Sequence, residues 1–262
     1  MKRIMVYLMV CILAGCGPSQ VKTTHIIVHE AIEEPGAVAI GRLLHSVIST
    51  YDPRGNKTES QKFDASGVLT EMYRYTYDNF DHLVERISYN PSGNQIQEDI
   101  YHYDKNGNLI ENDRYNLLLK QYTTFHHEYD KTGRKIEVVR RDSNGAAQAI
   151  RTFTYDNLGT KSQTFEDMEY GFRSVTKCLY DEDGNEIESY EYEADGSIKL
   201  RHVTEYDEND NIISRVTCSS EGSVIRSIRY EYRYDRNGNW IRKTEYQNAR
   251  PALVSVREIE CY

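Results

Sequence analysis

Eight histidines, five cysteines and 41 acidic residues are the groups from which a site in this 262-residue chain would be built. His45, His82, His102, His126, His127 and His202 follow no common spacing; only His126 and His127 adjoin, and neighbours on a strand point to opposite faces. His25 and His29 stand four apart, as two ligands on a helix would, but the β-branched Ile26-Ile27-Val28 between them favours a short strand. The cysteines form no CxxC pair and have no histidine at ligand intervals, so their spacing offers no zinc site. Asp181-Glu182-Asp183-Gly184-Asn185-Glu186 and Asp207-Glu208-Asn209-Asp210-Asn211 alternate oxygen donors in the manner of a calcium loop. An EF-hand needs Gly at its sixth position and Glu at its twelfth; these turns have Glu186 and Tyr192, then Ile212 and Cys218. Carboxylates occur throughout the repeats, so proximity of two would not mark a glycosidase. No Ser-His-Asp or Cys-His signature appears. The sequence therefore predicts no catalytic residue, no metal, no cofactor and no enzyme.

The glycines show what the chain is built for instead. Of sixteen, Gly15, Gly17, Gly36 and Gly41 lie near the start, and the remaining twelve occupy two recurrent positions. Tyr-Asp occurs at Tyr51, Tyr77, Tyr103, Tyr129, Tyr155, Tyr180, Tyr206 and Tyr234, at intervals of 26 residues with one of 25 and a last one of 28. The third residue after the Asp is Gly in six copies and Asp81 or Asp210 in the other two. Twelve residues after each Tyr stand Phe63, Tyr89, Tyr115, Arg141, Asp167, Tyr192, Cys218 and Tyr246, and Gly comes four residues later in six copies. None is left for a phosphate-cradling loop. A fixed period of this length marks a repeat architecture.

Asp-x-x-Gly is turn chemistry. Asp at the first position of a type I turn accepts backbone N–H bonds, and Gly takes the left-handed position after it. A hairpin closed in this way pairs each Tyr with the residue six further on, as in Tyr77–Leu83, Tyr103–Leu109, Tyr206–Ile212 and Tyr234–Trp240. Period-two alternation then predicts the aromatics twelve residues on to lie on that same face. Segments such as Met72-Tyr73-Arg74-Tyr75-Thr76-Tyr77 alternate aromatic with polar residues, as half-buried strands do. The fold class expected is all-β: an antiparallel meander of about sixteen strands from eight 26-residue hairpin repeats, coiled or spiral, with the tyrosines on the concave side. Whether the sheet closes is left open. The last copy degenerates into Asn248-Ala249-Arg250-Pro251, a terminal variant.

Composition agrees. Twenty-two Tyr against six Phe and one Trp, 39% hydrophobic residues and a mean hydropathy of −0.71 describe an ordered, polar, β-rich chain without a broad aliphatic core. Tyr offers a large ring whose hydroxyl stays wet, so a thin core forms without dense aliphatic packing. The net charge of −9 argues against nucleic acid, whose phosphates need a basic surface. Tyr75, Tyr101, Tyr103, Tyr232 and Tyr234 are the candidate binding residues of the tyrosine face, since aromatic rings stack on sugars.

The first residues are an address. Lys2 and Arg3 precede the apolar stretch 4–13, too short to span a bilayer as a helix. It ends in Leu13-Ala14-Gly15-Cys16, which resembles the lipobox of bacterial lipoproteins. The resemblance implies a signal peptide at 1–15, acylation of Cys16 and membrane attachment through lipid. Gly17 in place of Asp implies the outer membrane, with the periplasmic or surface side unassigned. Residues 16–41 then read as lipidated Cys and tether, and 42–262 as the repeat domain. Cys178, Cys218 and Cys261 are an odd set, read as strand residues rather than a disulfide framework.

The motif Tyr-Asp-x-x-Gly-Asn-x-Ile, present from Tyr103 to Ile110 and from Tyr180 to Ile187, resembles the YD repeat of bacterial RHS-type proteins. In that family such repeats form a β-sheet spiral around a toxin. This chain has eight units and no toxin segment after them. Its Asp52-Pro53-Arg54-Gly55 is similar to the family's self-cleavage motif, but it lies in the first repeat with Asn56 next, and Pro suits the second position of a type I turn. The function expected is a cell-envelope lipoprotein whose repeat domain is a scaffold or protein-interaction module. The alternative is a carbohydrate-binding surface protein.

Overall fold

The computed structural model describes residues 20–156 and 161–262. Cys16, the expected lipidation site, and the signal segment lie outside the described residues. The chain forms β1 (Val21–Glu34), β2 (Ala37–Tyr51), β3 (Lys57–Asp64), β4 (Leu69–Tyr77), β5 (Leu83–Tyr89), β6 (Gln95–Tyr103), β7 (Leu109–Asn116), β8 (Gln121–Tyr129) and β9 (Lys135–Asp142). It continues through β10 (Ala147–Tyr155), β11 (Lys161–Asp167), β12 (Phe172–Tyr180), β13 (Glu186–Tyr192), β14 (Ile198–Tyr206), β15 (Ile212–Ser219), β16 (Val224–Tyr234), β17 (Trp240–Gln247) and β18 (Arg250–Cys261). Each strand pairs antiparallel with the next, and β1 pairs with both β2 and β18, so the sheet closes into an 18-stranded barrel. Closure removes both sheet edges.

The turns obey the sequence. In the first, Asp52 Oδ1 accepts the N–H groups of Arg54 and Asn56 at 3.0 and 2.9 Å, Gly55 N donates to the Asp52 carbonyl, and Gly55 has φ +91°. Asp52-Pro53-Arg54-Gly55 is thus a turn of the ordinary kind. The same bonds recur at Asp104, Asp130 and Asp235. Asp81 and Asp210 take the left-handed conformation at φ +66° and +58°, as Asp tolerates better than most residues. Eleven of the twelve turn glycines have positive φ; Gly159 lies outside the described residues. All four expected cross-strand pairs are present: Tyr77–Leu83, Tyr103–Leu109, Tyr206–Ile212 and Tyr234–Trp240.

Two expectations are corrected. First, the aromatics do not share a face. After Tyr77–Leu83 the next pair is Thr76–Glu85, so Val84 is skipped, and this extra residue reverses the parity of the rest of the strand. Tyr89 accordingly pairs with Met72 and Tyr246 with Arg229, on the face opposite the Tyr-Asp tyrosines. Second, the segment 16–41 is not a tether in its described part. It holds β1 and the start of β2, joined by Pro35-Gly36 with Gly36 at φ +75°, as a type II turn requires. The short strand expected at His25–His29 is fourteen residues long. Cys178 and Cys218 are free and buried within β12 and β15, as strand residues. The terminal variant is a two-residue turn, Asn248-Ala249, with φ +48° and +66°, the geometry that tight hairpins prefer. The 25-residue interval contains the hairpin closed by Asp167–Phe172, whose four-residue loop replaces the usual five.

The Tyr-Asp face is the more covered. Thr24, Ser49, Ser88, Asp99, Asn112, Ala149, Phe153 and Cys178 are buried there, while Arg74, Ile100, His102 and His126 on the other face are exposed. A closed sheet crowds its concave side in this way. Charged residues stand on both faces, Lys62, Arg86 and Asp99 on the covered one and Glu59, Arg74 and Glu188 on the open one. Neither face is the apolar band that a bilayer-spanning barrel turns to lipid.

Candidate binding surfaces

The strands alternate direction, so the barrel has two rims. One holds the eight Tyr-Asp turns together with Val21 and Cys261. The other holds the second class of turn and the β1–β2 hairpin.

At the Tyr-Asp rim the tyrosines are structural. The hydroxyls of Tyr77, Tyr103, Tyr129, Tyr155, Tyr206 and Tyr232 donate to the carbonyls of Lys57, Leu83, Leu109, Lys135, Glu186 and Ile212, each twenty residues back, at 2.8–3.1 Å. Each ring thereby ties its hairpin to the one before. Tyr234 departs from the pattern and donates to Asp207, accepting from Asn211 at 2.9 Å. Burial raises the Tyr232 hydroxyl to about 12, so these groups stay protonated donors. Some cations of the covered face sit over rings, with Lys161 Nζ 4.6 Å from the Phe153 centroid and Arg257 5.2 Å from Trp240. On the open face Arg74 lies over the Tyr89 ring and pairs with Glu59 at 3.0 Å, an exposed ion pair that contributes little.

Of the five candidate tyrosines, Tyr75, Tyr101 and Tyr103 stand together on β4 and β6, and Tyr232 and Tyr234 stand on β16. The hydroxyls of Tyr103, Tyr232 and Tyr234 are committed to the fold. Those of Tyr75 and Tyr101 have no hydrogen bond among the described residues. They adjoin a charge cluster that the spacing did not reveal. Asp99, fully buried, accepts from Arg86 at 2.8 Å, Arg114 at 2.6 Å and Gln97 at 2.8 Å. Burial alone would push its carboxyl up; the bonds from Arg114, Gln97 and Arg86 outweigh that and hold it below the usual carboxylate range. Two guanidiniums on one carboxylate leave a net positive charge. They line a cleft of about 370 Å³ with Tyr73, Tyr75, Gln97 and Asn116. His127, whose Nε2 meets Asn112 Oδ1 at 3.2 Å, is lowered to about 4, first by burial and then by Lys135.

The opposite rim is different. Its turns carry Leu118 (72% exposed), Leu119 (70%), Met168, Tyr170 (77%), Val224 and Ile225. These lie at the β7–β8, β11–β12 and β15–β16 hairpins, with polar hairpins between them. The Tyr-Asp rim shows mainly Asp, Asn and Gly, with Phe80 and Tyr262 exposed among the described residues.

No protein-family model matches this chain, and no curated protein does. Solved structures are similar to it at low identity. A porin-like protein from Bacteroides uniformis aligns over 92% of this chain and 98% of its own, at 13% identity and a TM-score of 0.48. TcdB2-TccC3 without its hypervariable C-terminal region is similar over 86% of this chain and 16% of its own, at 14% identity and 0.35. A Vibrio parahaemolyticus domain described as an outer membrane lipoprotein-sorting protein aligns over 91% of this chain and 86% of its own, at 8% identity and 0.26. Superpositions this loose carry no functional reading.

Proposed function

We propose that this chain is a non-catalytic binding module of the bacterial cell envelope, lipid-anchored at Cys16, that presents the rim remote from its anchor to a protein partner. The observation that carries the reading is the contrast between rims. Adjacent exposed apolar residues, Leu118 with Leu119, Met168 with Tyr170 and Val224 with Ile225, stand on three hairpins of one rim, and clustered exposed apolar groups mark interaction sites. The strand after the anchor begins at the other. Val21 is five residues after Cys16, a reach of at most about 18 Å, so the Tyr-Asp rim is held near the membrane and the apolar rim points away. A photo-crosslinking residue at position 119 or at position 106, on opposite rims, tests this in intact cells. The reading expects one protein adduct from 119, lost with Leu118→Asp, and none from 106. Adducts from 106 alone, or from neither, would sink it.

A second reading has its own observation, the positive cleft lined by Arg86, Arg114, Tyr73 and Tyr75. It suits an acidic saccharide, with guanidiniums on carboxylates and rings on sugar faces. Binding of polygalacturonate but not dextran, abolished by Arg86→Gln, is its expected result. Equal binding of both polymers, or of neither, would dismiss it.

A further inference from the structure

On the open face, β6, β7 and β8 bring four residues together whose sequence spacing showed no pattern. His102 pairs with Glu111, and Glu111 with His126, directly across three adjacent strands. Asp113 is two residues along β7 from Glu111, so its side chain is on the same side. One ligand atom each from His102, Glu111 and Asp113 lie within 4.8 Å of one another. His102 Nε2 and Asp113 Oδ2 are 3.4 Å apart. Two ligands bonded at about 2.0–2.1 Å to a tetrahedral zinc ion would be separated by roughly 3.3–3.4 Å.

The carboxylates are also held from outside. Thr124 Oγ1 donates to Asp113 Oδ1 at 3.0 Å, which leaves Oδ2 turned to His102. His126 Nδ1 meets Glu111 Oε2 at 3.0 Å. Ligating carboxylates carry outer partners of this kind, which fix their orientation.

We propose that His102, Glu111 and Asp113 are the three protein ligands of a divalent transition-metal site, filled best by Zn²⁺, with water in the fourth position and His126 as a positioning residue for Glu111. One imidazole with two carboxylates suits zinc, whereas Ca²⁺ requires six to eight oxygens and Mg²⁺ an octahedron of oxygens. A bound ion would pin β6, β7 and β8 together on the open face. The proposal is independent of either binding reading above.

The test is calorimetric titration of the full chain in detergent, stripped with chelator, with Zn²⁺ and separately with Mg²⁺ and Ca²⁺. The expected result is one zinc per chain and no comparable heat from the other two. His102→Ala abolishes that site and His126→Ala weakens it by about 10–100-fold. Glu111→Gln, which keeps the shape, also abolishes it and guards against loss through misfolding. The nitrogen resonance of His102 Nε2 should move on zinc addition while those of His45 stay in place. Absence of a one-to-one site, or zinc binding unchanged in both His102→Ala and Glu111→Gln, overturns the proposal.

Discussion

The two rims are built on the same kind of hairpin and use it differently. At the Tyr-Asp rim every recurring position serves the structure. Asp accepts the turn's N–H groups, Gly or Asp takes the left-handed residue, and Tyr reaches back to the preceding hairpin. At the opposite rim the loops vary in length, no tyrosine hydroxyl links one hairpin to the last among the described residues, and the tips carry apolar side chains. Repetition in this chain marks what holds the barrel, and departure from the repeat marks what is free to meet something else. Loss at the first rim should therefore appear as stability, and loss at the second as binding.

The wall between the rims sets the upper end of the scale. Asp99→Ala leaves Arg86 and Arg114 partly buried without their carboxylate and should cost about 3 kcal/mol in a urea titration. A cost near zero would mean solvent replaces the cluster. Asp207→Ala removes the acceptor of two backbone N–H groups and of Tyr234 at the Tyr-Asp rim, an expected loss of about 2 kcal/mol. Burial would raise this carboxyl, but the bonds from Tyr234, Asn211 and Asn209 prevail and lower it. Its contribution is thus complete above the unfolded-state value near 4 and is lost as the pH falls through the folded one, so wild type and variant should converge on acidification. Tyr103→Phe keeps the ring stacked on His82 and deletes only the bond to Leu83, which should cost about 1 kcal/mol. The smallest effect belongs to the other rim. Leu118→Asp with Leu119→Asp should leave the urea midpoint within about 0.5 kcal/mol of wild type. A larger shift would show that those leucines serve the fold, and the distinction between the rims would fail.

The turns were legible because Asp-x-x-Gly imposes bonds and a φ angle that do not depend on tertiary context, and the pairing of Tyr103 with Leu109 is a direct consequence. The faces were not legible. Whether Val84 is paired or skipped changes nothing in composition or spacing, yet it decides where Tyr89 points. Only the centre of β1 was legible, from its β-branched residues at 26–28; its full length carries no turn motif, and the Pro35-Gly36 that looks like a break in fact closes its hairpin. The Arg86–Asp99–Arg114 cluster and the His102–Glu111–Asp113 group are each drawn from consecutive strands and become neighbours only through cross-strand register. Tyr103, Tyr232 and Tyr234 do stand on the Tyr-Asp face, and their hydroxyls bond to the preceding hairpin.

The seam between β1 and β18 gives assembly an order. Every other pairing joins strands consecutive along the chain, so hairpins can form and zip locally with short closure loops. The seam instead joins residues such as Thr24 and Ile259. The first strand must wait with one edge unpaired until all the others are in place. During that interval the growing sheet is a template for any extended chain it meets, and the seam becomes the step at which a copy either completes itself or exchanges strands with a neighbour.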